Sequence, residues 1–291
     1  MTELKIGVIG IPGKWSTEAL ADAVEAKTGF RRVIDMGAVA LDLDQGRLMH
    51  AGEDLCTYDA LIIKKISEIY SPEVLDRLEL LRLAEAKGVK VFSRPEAIIR
   101  LIDRLACTVS LRMADIPMPR TVVTEDKAAA LAAVNDFGSA VFKPLYSTKA
   151  RGMTLIDAGD SAAIDAFSAE HQVMYIQEKL DLSGQDLGMV FLNGEYLCTY
   201  ARVSGSDTWN TTIHAGGKYA PFEPDAALIE LARRAQAPFG LSFTTVDVAL
   251  TDQGPIVFEV SAFGGFRGVR DGCGLDAAAL VTDHVIAEIT Q

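Results

Sequence analysis

The sequence is poor in cysteine and histidine, and its basic residues are outnumbered by its acidic ones. Its four cysteines lie far apart and form no C-x-x-C pair, so neither a zinc site nor a disulfide framework is expected. It shows no signal peptide and no apolar run of about 18 residues, and we therefore expect a cytoplasmic protein without a membrane partner. The formal net charge is −12. Nucleic acid is not an expected partner, because its phosphate backbone requires a positive protein surface.

The 291 residues are enough for about two domains of ordinary size, and 49% of them are hydrophobic. Strands alternate with helices up to about residue 95, which predicts a small parallel α/β domain. A helical segment follows, and after it the pattern becomes typical of two α+β lobes with antiparallel strands. We therefore predict a combined α/β and α+β fold in three parts, residues 1–95, 96–172 and 173–291.

The first predicted strand ends in a glycine-rich loop that matches no nucleotide-binding motif. Gly7, Gly10 and Gly13 are spaced as G-x-x-G-x-x-G, which is not the dinucleotide fingerprint. Lys14 is followed by Trp15 rather than by Ser or Thr, so the Walker phosphate loop is not present here either. We interpret these glycines as those of a tight turn between strand and helix.

A β-hairpin near the C-terminus is predicted to display two acids. Its strands run from Phe243 to Leu250 and from Ile256 to Ser261, with Asp252-Gln253-Gly254 as a three-residue loop. This register places Asp247 opposite Glu259. Because side chains alternate along a strand, one face is predicted to be apolar and the other to carry the acids. The apolar face comprises Val246, Val248, Leu250, Ile256, Phe258 and Val260, and the other face Thr245, Asp247, Ala249, Val257, Glu259 and Ser261.

Two carboxylates that face each other across a strand pair repel one another. Water can relieve this repulsion, a proton can be shared between them with one raised pKa, or a cation can bind. A hard divalent ion such as Mg²⁺ prefers oxygen ligands, often one or two carboxylates with phosphate oxygens and waters. The hairpin alone leaves these three readings open.

The order of the predicted elements resembles the ATP-grasp superfamily, in which an α/β domain precedes two α+β lobes that hold ATP between them. Within it the chain is most similar to the RimK-like ligases, and its relatives are expected among the ATP-grasp members of GAK gene-cluster systems. The resemblance implies ATP and Mg²⁺ as cofactors. It also implies small-molecule or peptide substrates, one a carboxylate and one an amine, and allows a homo-oligomer.

The resemblance further implies a set of nucleotide-binding residues. Lys143, in the strand sequence A-V-F-K-P, matches a lysine on the nucleotide phosphates, and Arg104 stands where a helix lysine usually contacts them. The loop that closes over the triphosphate corresponds to residues 146–152 and carries two basic residues. The hinge strand and the acid after it match the residues that bind adenine and ribose. These further residues are Lys149, Arg151, Gln177, Glu178, Lys179, Leu180 and, for ribose, Asp186.

By the same resemblance, Asp247 and Glu259 match two metal ligands, and Ser261 replaces the usual asparagine as the third. A block that usually reads Arg-Ser-Asn has Asn210 and Thr212 at its arginine and asparagine positions. The missing arginine would stabilise charge on the transferred phosphoryl and acyl groups.

The arginines predicted to replace it are Arg202 and Arg267, with Arg270 as a further candidate. Arg267 is also predicted to bind a substrate carboxylate from the glycine-flanked loop of residues 261–268. The function implied by the resemblance is an ATP-dependent carboxylate–amine ligase that acts through an acyl phosphate. The alternatives are an ATP-grasp kinase that phosphorylates a hydroxyl, and a nucleotide-binding protein with degraded catalysis.

Overall fold

The computed structural model describes residues 4–148, 150–182, 184–204 and 217–291, and all statements below refer to these residues. Within these ranges, no helix combines the length and the apolar character that a membrane crossing requires.

The N-terminal part is built on a parallel sheet, as predicted. Four strands lie in the order β2-β1-β6-β7, and β1 and β6 are buried along their whole length. A small additional antiparallel sheet of three short strands, β3 to β5, was not predicted and is left out of the sheet numbering below. The elements are β1 Ile6–Ile9, α1 Trp15–Thr28, β2 Val33–Ile34, β3 Ala40–Asp42, β4 Arg47–His50, β5 Glu53–Asp54, β6 Ala60–Ile63, α2 Glu73–Ala86 and β7 Lys90–Phe92.

The predicted helical linker consists of two helices, α3 (Pro95–Ile102) and α4 (Arg104–Met113). Asp103 separates them, because its backbone is extended and its carboxylate accepts a hydrogen bond of 2.9 Å from the Leu105 amide, which caps α4. This break places Arg104 at the first position of α4, where its side chain can reach the neighbouring lobes.

The second sheet is antiparallel, in the order β10-β9-β11-β8, and two helices pack against it around a separate hydrophobic core. The strand predicted to begin the C-terminal lobe at residue 173 is β11, which instead pairs with β8 and β9 in this sheet. We therefore propose that the boundary between the lobes follows Glu178 rather than residue 172. The elements are β8 Thr121–Thr124, α5 Lys127–Phe137, β9 Ser139–Lys143, β10 Thr154–Asp157, α6 Ser161–Glu170 and β11 Met174–Glu178.

The third sheet has five antiparallel strands in the order β14-β13-β12-β15-β16. Asn193 and Gly194, which join β12 to β13, both have positive φ, as a tight two-residue hairpin requires. The elements are β12 Gln185–Leu192, β13 Glu195–Val203, β14 Lys218–Pro221, α7 Ala226–Gln236, β15 Phe243–Thr251, β16 Gly254–Ser261, α8 Phe266–Cys273 and α9 Ala277–Thr290. A continuous hydrophobic core connects this sheet to the linker helices and the N-terminal sheet.

The β15–β16 hairpin contains a β-bulge that was not predicted. Near the turn Thr251 pairs with Gly254, so the loop has two residues rather than the predicted three. The register then shifts at Phe258, and Asp247 pairs with Glu259 as predicted. Because of the bulge, the predicted faces of Val257 and Phe258 are wrong. Val257 is buried in the core, while Phe258 lines the cleft beside the acids.

Helix α8 lies close to β13 because glycines surround the buried ring of Tyr200. A Cβ added to Gly268 would lie 2.3 Å from this ring, and one added to Gly188 would lie 2.4 Å from it. We expect Gly268→Ala to destabilise the protein by about 1–3 kcal/mol, since overpacking outweighs the helix propensity of alanine. Urea unfolding of this variant measures the loss. Gly37→Ala, whose nearest neighbour would lie 3.3 Å away, is the control, and equal stability of the two variants would contradict the prediction.

Candidate active site

A cleft of about 460 Å³ lies between the second and third sheets and extends to the N-terminal part of the chain. Helix α4 and strands β9, β11, β15 and β16 contribute to its walls. It brings together most of the residues that the sequence predicts to bind nucleotide and metal, and also Arg202, which is predicted to be catalytic. These are Arg104, Lys143, Gln177, Glu178, Lys179, Leu180, Asp186, Arg202, Asp247, Glu259 and Ser261.

Arginines hold the two opposed acids. The Glu259 carboxylate accepts a hydrogen bond of 3.0 Å from Arg104 Nη1, and Arg202 Nη2 lies 3.0 Å from Asp247 Oδ1. Arg202 also binds Asp186, with its Nε 3.2 Å and 3.0 Å from the two carboxylate oxygens. Strand pairing explains this network, because Asp186 lies opposite Arg202 and Gly188 lies opposite Asp247.

One carboxylate oxygen of Asp247 lacks a hydrogen-bond partner in this network. Its Oδ1 is buried and makes no hydrogen bond of good geometry, although Arg202 is close enough for an ion pair. Burial raises the pKa of the Asp247 carboxyl, Arg202 opposes this rise, and Glu259 and Asp186 add to it. Asp247 is therefore not a solvated surface acid. A cation beside it would relieve both the burial of its charge and the repulsion from Glu259.

The donor set fits Mg²⁺ when phosphate completes it. In the described ranges, no three His, Cys, Asp or Glu side chains could hold a metal ion together. Asp247, Glu259 and the hydroxyl of Ser261 line one wall, with Thr245 opposite Ser261. Mg²⁺ in such sites takes one or two carboxylates and fills its coordination with phosphate oxygens and waters. These residues therefore suit a metal that arrives with a nucleotide.

Lys143 projects from the end of β9 into the same cleft. Its Nζ donates a hydrogen bond of 2.5 Å to Gln177 Oε1 and lies 5.4 Å from the centre of the Phe258 ring. Gln177 is held in turn by its amide nitrogen, which donates to the hydroxyls of Thr121 and Tyr175. Burial lowers the pKa of Lys143 to about 7, with the charge of Arg104 adding to this effect and Glu259 opposing it.

Nucleotide binding is expected to add a proton to the protein above neutral pH. Phosphate beside Lys143 favours its charged form, which burial otherwise disfavours from about pH 7 upward. The affinity for Mg–ADP should therefore fall as the pH rises above this value, by up to about tenfold per unit. Calorimetry at pH ~8 in buffers of different ionisation enthalpy counts the protons. Uptake that persists unchanged in Lys143→Met would contradict the assignment, and Lys127→Met is the exposed control.

Arg104 connects the lobes across the cleft. Its Nε donates to the Pro144 carbonyl at 3.2 Å, just after β9, while its Nη1 donates to Glu259 in the third sheet. Its guanidinium lies 5.9 Å from the centre of the Tyr175 ring, and its side chain is 9% exposed. A fixed positive charge therefore lies between the opposed acids and the predicted phosphate site.

The predicted adenine end lies where β11 ends. The Glu178 amide donates to Arg120 O at 2.9 Å, and the Lys179 amide donates to Ser139 O at 3.1 Å. These hydrogen bonds fix the end of the strand. Because the Lys179 amide already donates to Ser139, it is not available to bind adenine. Asp186, predicted on the ribose, lines the cleft, and its carboxylate also accepts a hydrogen bond from Arg202.

Some predicted residues lie away from the cleft or outside the described residues. Residues 266–273 form α8, so Arg267 lies in a helix rather than on the predicted loop, exposed and 5.9 Å from the Trp15 ring. Arg151 is exposed on the loop beside the cleft and does not line it. Lys149, and the block with Asn210 and Thr212, lie outside the described residues.

The sequence reasoning missed a contribution from the N-terminal part. Lys65 and Tyr70 line the cleft, and Lys65 Nζ donates to the Tyr70 hydroxyl at 3.1 Å and lies 5.3 Å from the Phe263 ring. The sequence feature that could have predicted this contribution is the pair Lys64 and Lys65, directly after the buried strand β6. Ligand-binding residues in open parallel sheets cluster beyond the carboxyl ends of the strands.

A model of the RimK-like ATP-grasp domain matches residues 102–285. The chain belongs to the RimK-like ATP-grasp family. The N-terminal residues that line the cleft, Lys65 and Tyr70, precede the matched region.

Full-length similarities agree with this membership. The tetrahydromethanopterin:α-L-glutamate ligase of Methanosarcina acetivorans is 25% identical, over 97% of this chain and 98% of its own length. A probable α-L-glutamate ligase of Maridesulfovibrio salexigens is also 25% identical, over 97% and 95%. The structure of the ATP-grasp ligase PsnB with a precursor variant, Mg and ADP superimposes with a TM-score of 0.78 at 21% identity, covering 99% of both chains. These similarities confirm the predicted fold, the cofactors ATP and Mg²⁺, and the class of enzyme, an ATP-dependent carboxylate–amine ligase.

Proposed function

We propose that this RimK-like protein joins a carboxylate to the amine of L-glutamate, or of a similar acidic amino acid, through an acyl phosphate. The names of its relatives support glutamate as the amine. The observation that carries the proposal is the pair of opposed acids, Asp247 and Glu259, in one cleft with Lys143 and Arg104. A cytoplasmic location and a homo-oligomer remain predictions.

In this proposal Asp247 and Glu259 would hold Mg²⁺, with Ser261 beside them. The ion neutralises phosphate charge when bound. Lys143 and Arg104 bind the phosphates from the opposite wall, and both are fixed before nucleotide arrives, by Gln177 and by the Pro144 carbonyl. Fixed charges of this kind cost little reorganisation during phosphoryl transfer.

We assign adenine recognition to the end of β11, with Glu178 as the acceptor and the Leu180 amide as the donor. Lys179 contributes its carbonyl, since its amide is bonded to Ser139. Asp186 is assigned a different role from the predicted one: it orients Arg202 towards the metal acids. Arg202 then stabilises negative charge on the phosphoryl and acyl groups.

Two transfers make up the reaction. An oxygen of the substrate carboxylate attacks the γ-phosphorus, and ADP leaves with the electrons of the broken P–O bond. The amine nitrogen then attacks the acyl carbon, phosphate leaves, and the nitrogen loses a proton, which gives the amide. The protein contributes positioning and charge neutralisation in both steps.

The two alternative functions, a kinase and a nucleotide-binding protein with degraded catalysis, are less well supported by the site. A kinase would need a base beside a substrate hydroxyl, and Asp247, which is held by Arg202, does not supply a free one. A nucleotide-binding protein with degraded catalysis is suggested by Ser261 and Asn210, but the intact set of acids and basic residues in the cleft supports turnover.

The test is a reaction of the purified protein with ATP, MgCl₂, L-glutamate and a panel of carboxylates. We expect ADP and phosphate release that requires both L-glutamate and one carboxylate, with an amide product identified by mass. L-Glutamine and L-lysine are the control amines. A phosphorylated product without an amide would support the kinase, and nucleotide binding without turnover would support the degraded protein.

A further inference from the structure

Lys64 is a buried lysine at the junction between the N-terminal part and the third sheet. It directly follows β6, is 8% exposed, and its Nζ donates a hydrogen bond of 2.9 Å to the carbonyl of Gly264. The same ammonium lies 4.4 Å from the centre of the Phe266 ring. Lys64 therefore contacts the short loop that joins β16, with the metal acids, to α8.

The surroundings of Lys64 disfavour its charge. A cavity of about 20 Å³ beside it is lined by apolar and hydroxyl side chains, and no carboxylate is among the described residues that line it. These residues come from α1, β6, β7, α9 and the segment before β15, and include Leu20, Phe92, Ser93, Ser242 and Val281. Among the described residues, two titratable side chains lie near this site. Lys65 is the next residue in the chain, and His284 of α9 packs edge-on against the ring of Phe92, which lines the cavity. Burial, with Lys65 adding to it, lowers the pKa of Lys64 to about 7.

The loop contacted by Lys64 is held at two adjacent residues and leads into the cleft. The Gly264 carbonyl accepts from Lys64, while the Gly265 amide donates to Thr245 Oγ1 at 3.2 Å. A Cβ on Gly264 would lie 2.4 Å from the Phe243 ring, so the backbone has little freedom to move inward. Phe263, next to it, lines the cleft with Lys65 and Tyr70. The position of Gly264 therefore determines where this wall of the cleft stands.

An uncharged side chain at position 64 would give a more stable fold than lysine if packing were its only role. A buried ammonium without a carboxylate partner destabilises a fold, whereas methionine fills a similar volume without that cost. What lysine adds is a charge-assisted hydrogen bond to the loop and an attraction to the Phe266 ring, and both depend on its proton.

We propose that protonated Lys64 is a positioning residue, which holds the Gly264 carbonyl and thereby sets the wall of the cleft formed by Phe263. The function of that wall rests on the ligase activity proposed above, while the hold on the loop does not. Loss of the proton weakens the hydrogen bond and removes the cation–ring attraction. The loop is then firmly held below about pH 7 and loosened above it.

Global stability should change in the opposite direction. The pKa of Lys64 is lower in the folded protein than in the unfolded chain, so its destabilising effect is largest at low pH. That effect shrinks as the pH rises from about 7 towards the ordinary lysine pKa. Loop order and overall stability therefore respond to pH with opposite signs, which a merely structural lysine would not cause.

The experiment measures the whole protein without substrate. Lysine side-chain NMR should show Lys64 titrating near pH 7, and amide exchange in residues 263–267 should speed by about fivefold between pH ~6 and ~8.5 after correction for intrinsic rates. Lys64→Met should show fast, pH-independent exchange in the loop and a raised unfolding midpoint at low pH. Lys90→Met, an exposed lysine of the same sheet, should behave as wild type.

A titration of Lys64 at its ordinary pH, or loop exchange in the wild type that ignores pH, would overturn the proposal, and neither measurement requires a folded variant. With ligase substrates, Lys64→Met should raise KM for the carboxylate or the amine more than it lowers kcat. If no ligase activity is found while the titration and the exchange behave as expected, the proposed function fails and the positioning role stands.

Discussion

Asp247→Asn should reduce Mg²⁺-dependent turnover by about 10²- to 10³-fold, the loss usual when a group that stabilises transition-state charge is removed. Asparagine preserves the size of the side chain, so the cleft keeps its shape. It removes the negative charge opposite Glu259 that a divalent cation requires. Asp247 is largely buried and forms an ion pair with Arg202 of β13, so water cannot easily replace its charge.

The measurement is ADP release as a function of magnesium concentration, with the substrates of the ligase assay. Half-saturation should shift to higher magnesium, because one of the two protein carboxylates has lost its charge. Asp252→Asn is the matched control, as this acid lies exposed in the turn of the same hairpin. Full activity of Asp247→Asn would remove the metal assignment, and with it the main support for catalysis at this site.

Arg202→Met should destabilise the protein by about 3–5 kcal/mol, because it leaves the buried carboxylates of Asp186 and Asp247 without their cation. Both acids are largely buried in the sheet, so water solvates them poorly. Urea unfolding at neutral pH measures the loss. The loss should shrink at low pH, because burial raises the pKa of Asp247 and its unpaired charge disappears on protonation.

Magnesium should partly restore the stability of Arg202→Met, because a divalent cation replaces the lost positive charge beside Asp247. The wild type should gain less from the same addition. Arg270→Met is the matched control: this arginine is exposed, pairs with its neighbour Asp271, and should change stability little. Equal stability of Arg202→Met and the wild type would show that the arginine network adds nothing to the fold.

The opposed acids Asp247 and Glu259 illustrate how far the hairpin could be predicted from sequence. Alternation of apolar and polar residues, and a turn near Gly254, placed Asp247 opposite Glu259, and the structure has this pair. The predicted loop is nevertheless one residue too long, and the bulge at Phe258 was not predicted. Each error shifts the register by one residue, and the two shifts cancel at Asp247 and Glu259. They do not cancel between the turn and the bulge, where Val257 and Phe258 exchange faces.

Membership of a strand in a sheet was beyond local reasoning. The sequence V-M-Y-I-Q-E-K-L was recognised as a strand, but its partners β8 and β9 were not. Strand partners are chosen by long-range packing, and a buried strand carries no local mark of the sheet it joins. Similarly, residues 261–268 were predicted to be a glycine-flanked loop, whereas Gly268 lies in α8 and allows this helix to pack against Tyr200.

By itself the sequence determined the alternation of strands and helices, the pairing of Asp247 with Glu259 in the hairpin, and the motifs of an ATP-grasp ligase. These depend on spacing over a few residues, where backbone geometry dictates which side chains share a face. Only the tertiary structure decided that Arg202 holds Asp186 and Asp247, that Lys65 reaches the cleft, and that Lys64 holds the Gly264 loop. Such contacts join residues up to 200 positions apart, and their energies depend on burial that exists only once the sheets have packed together.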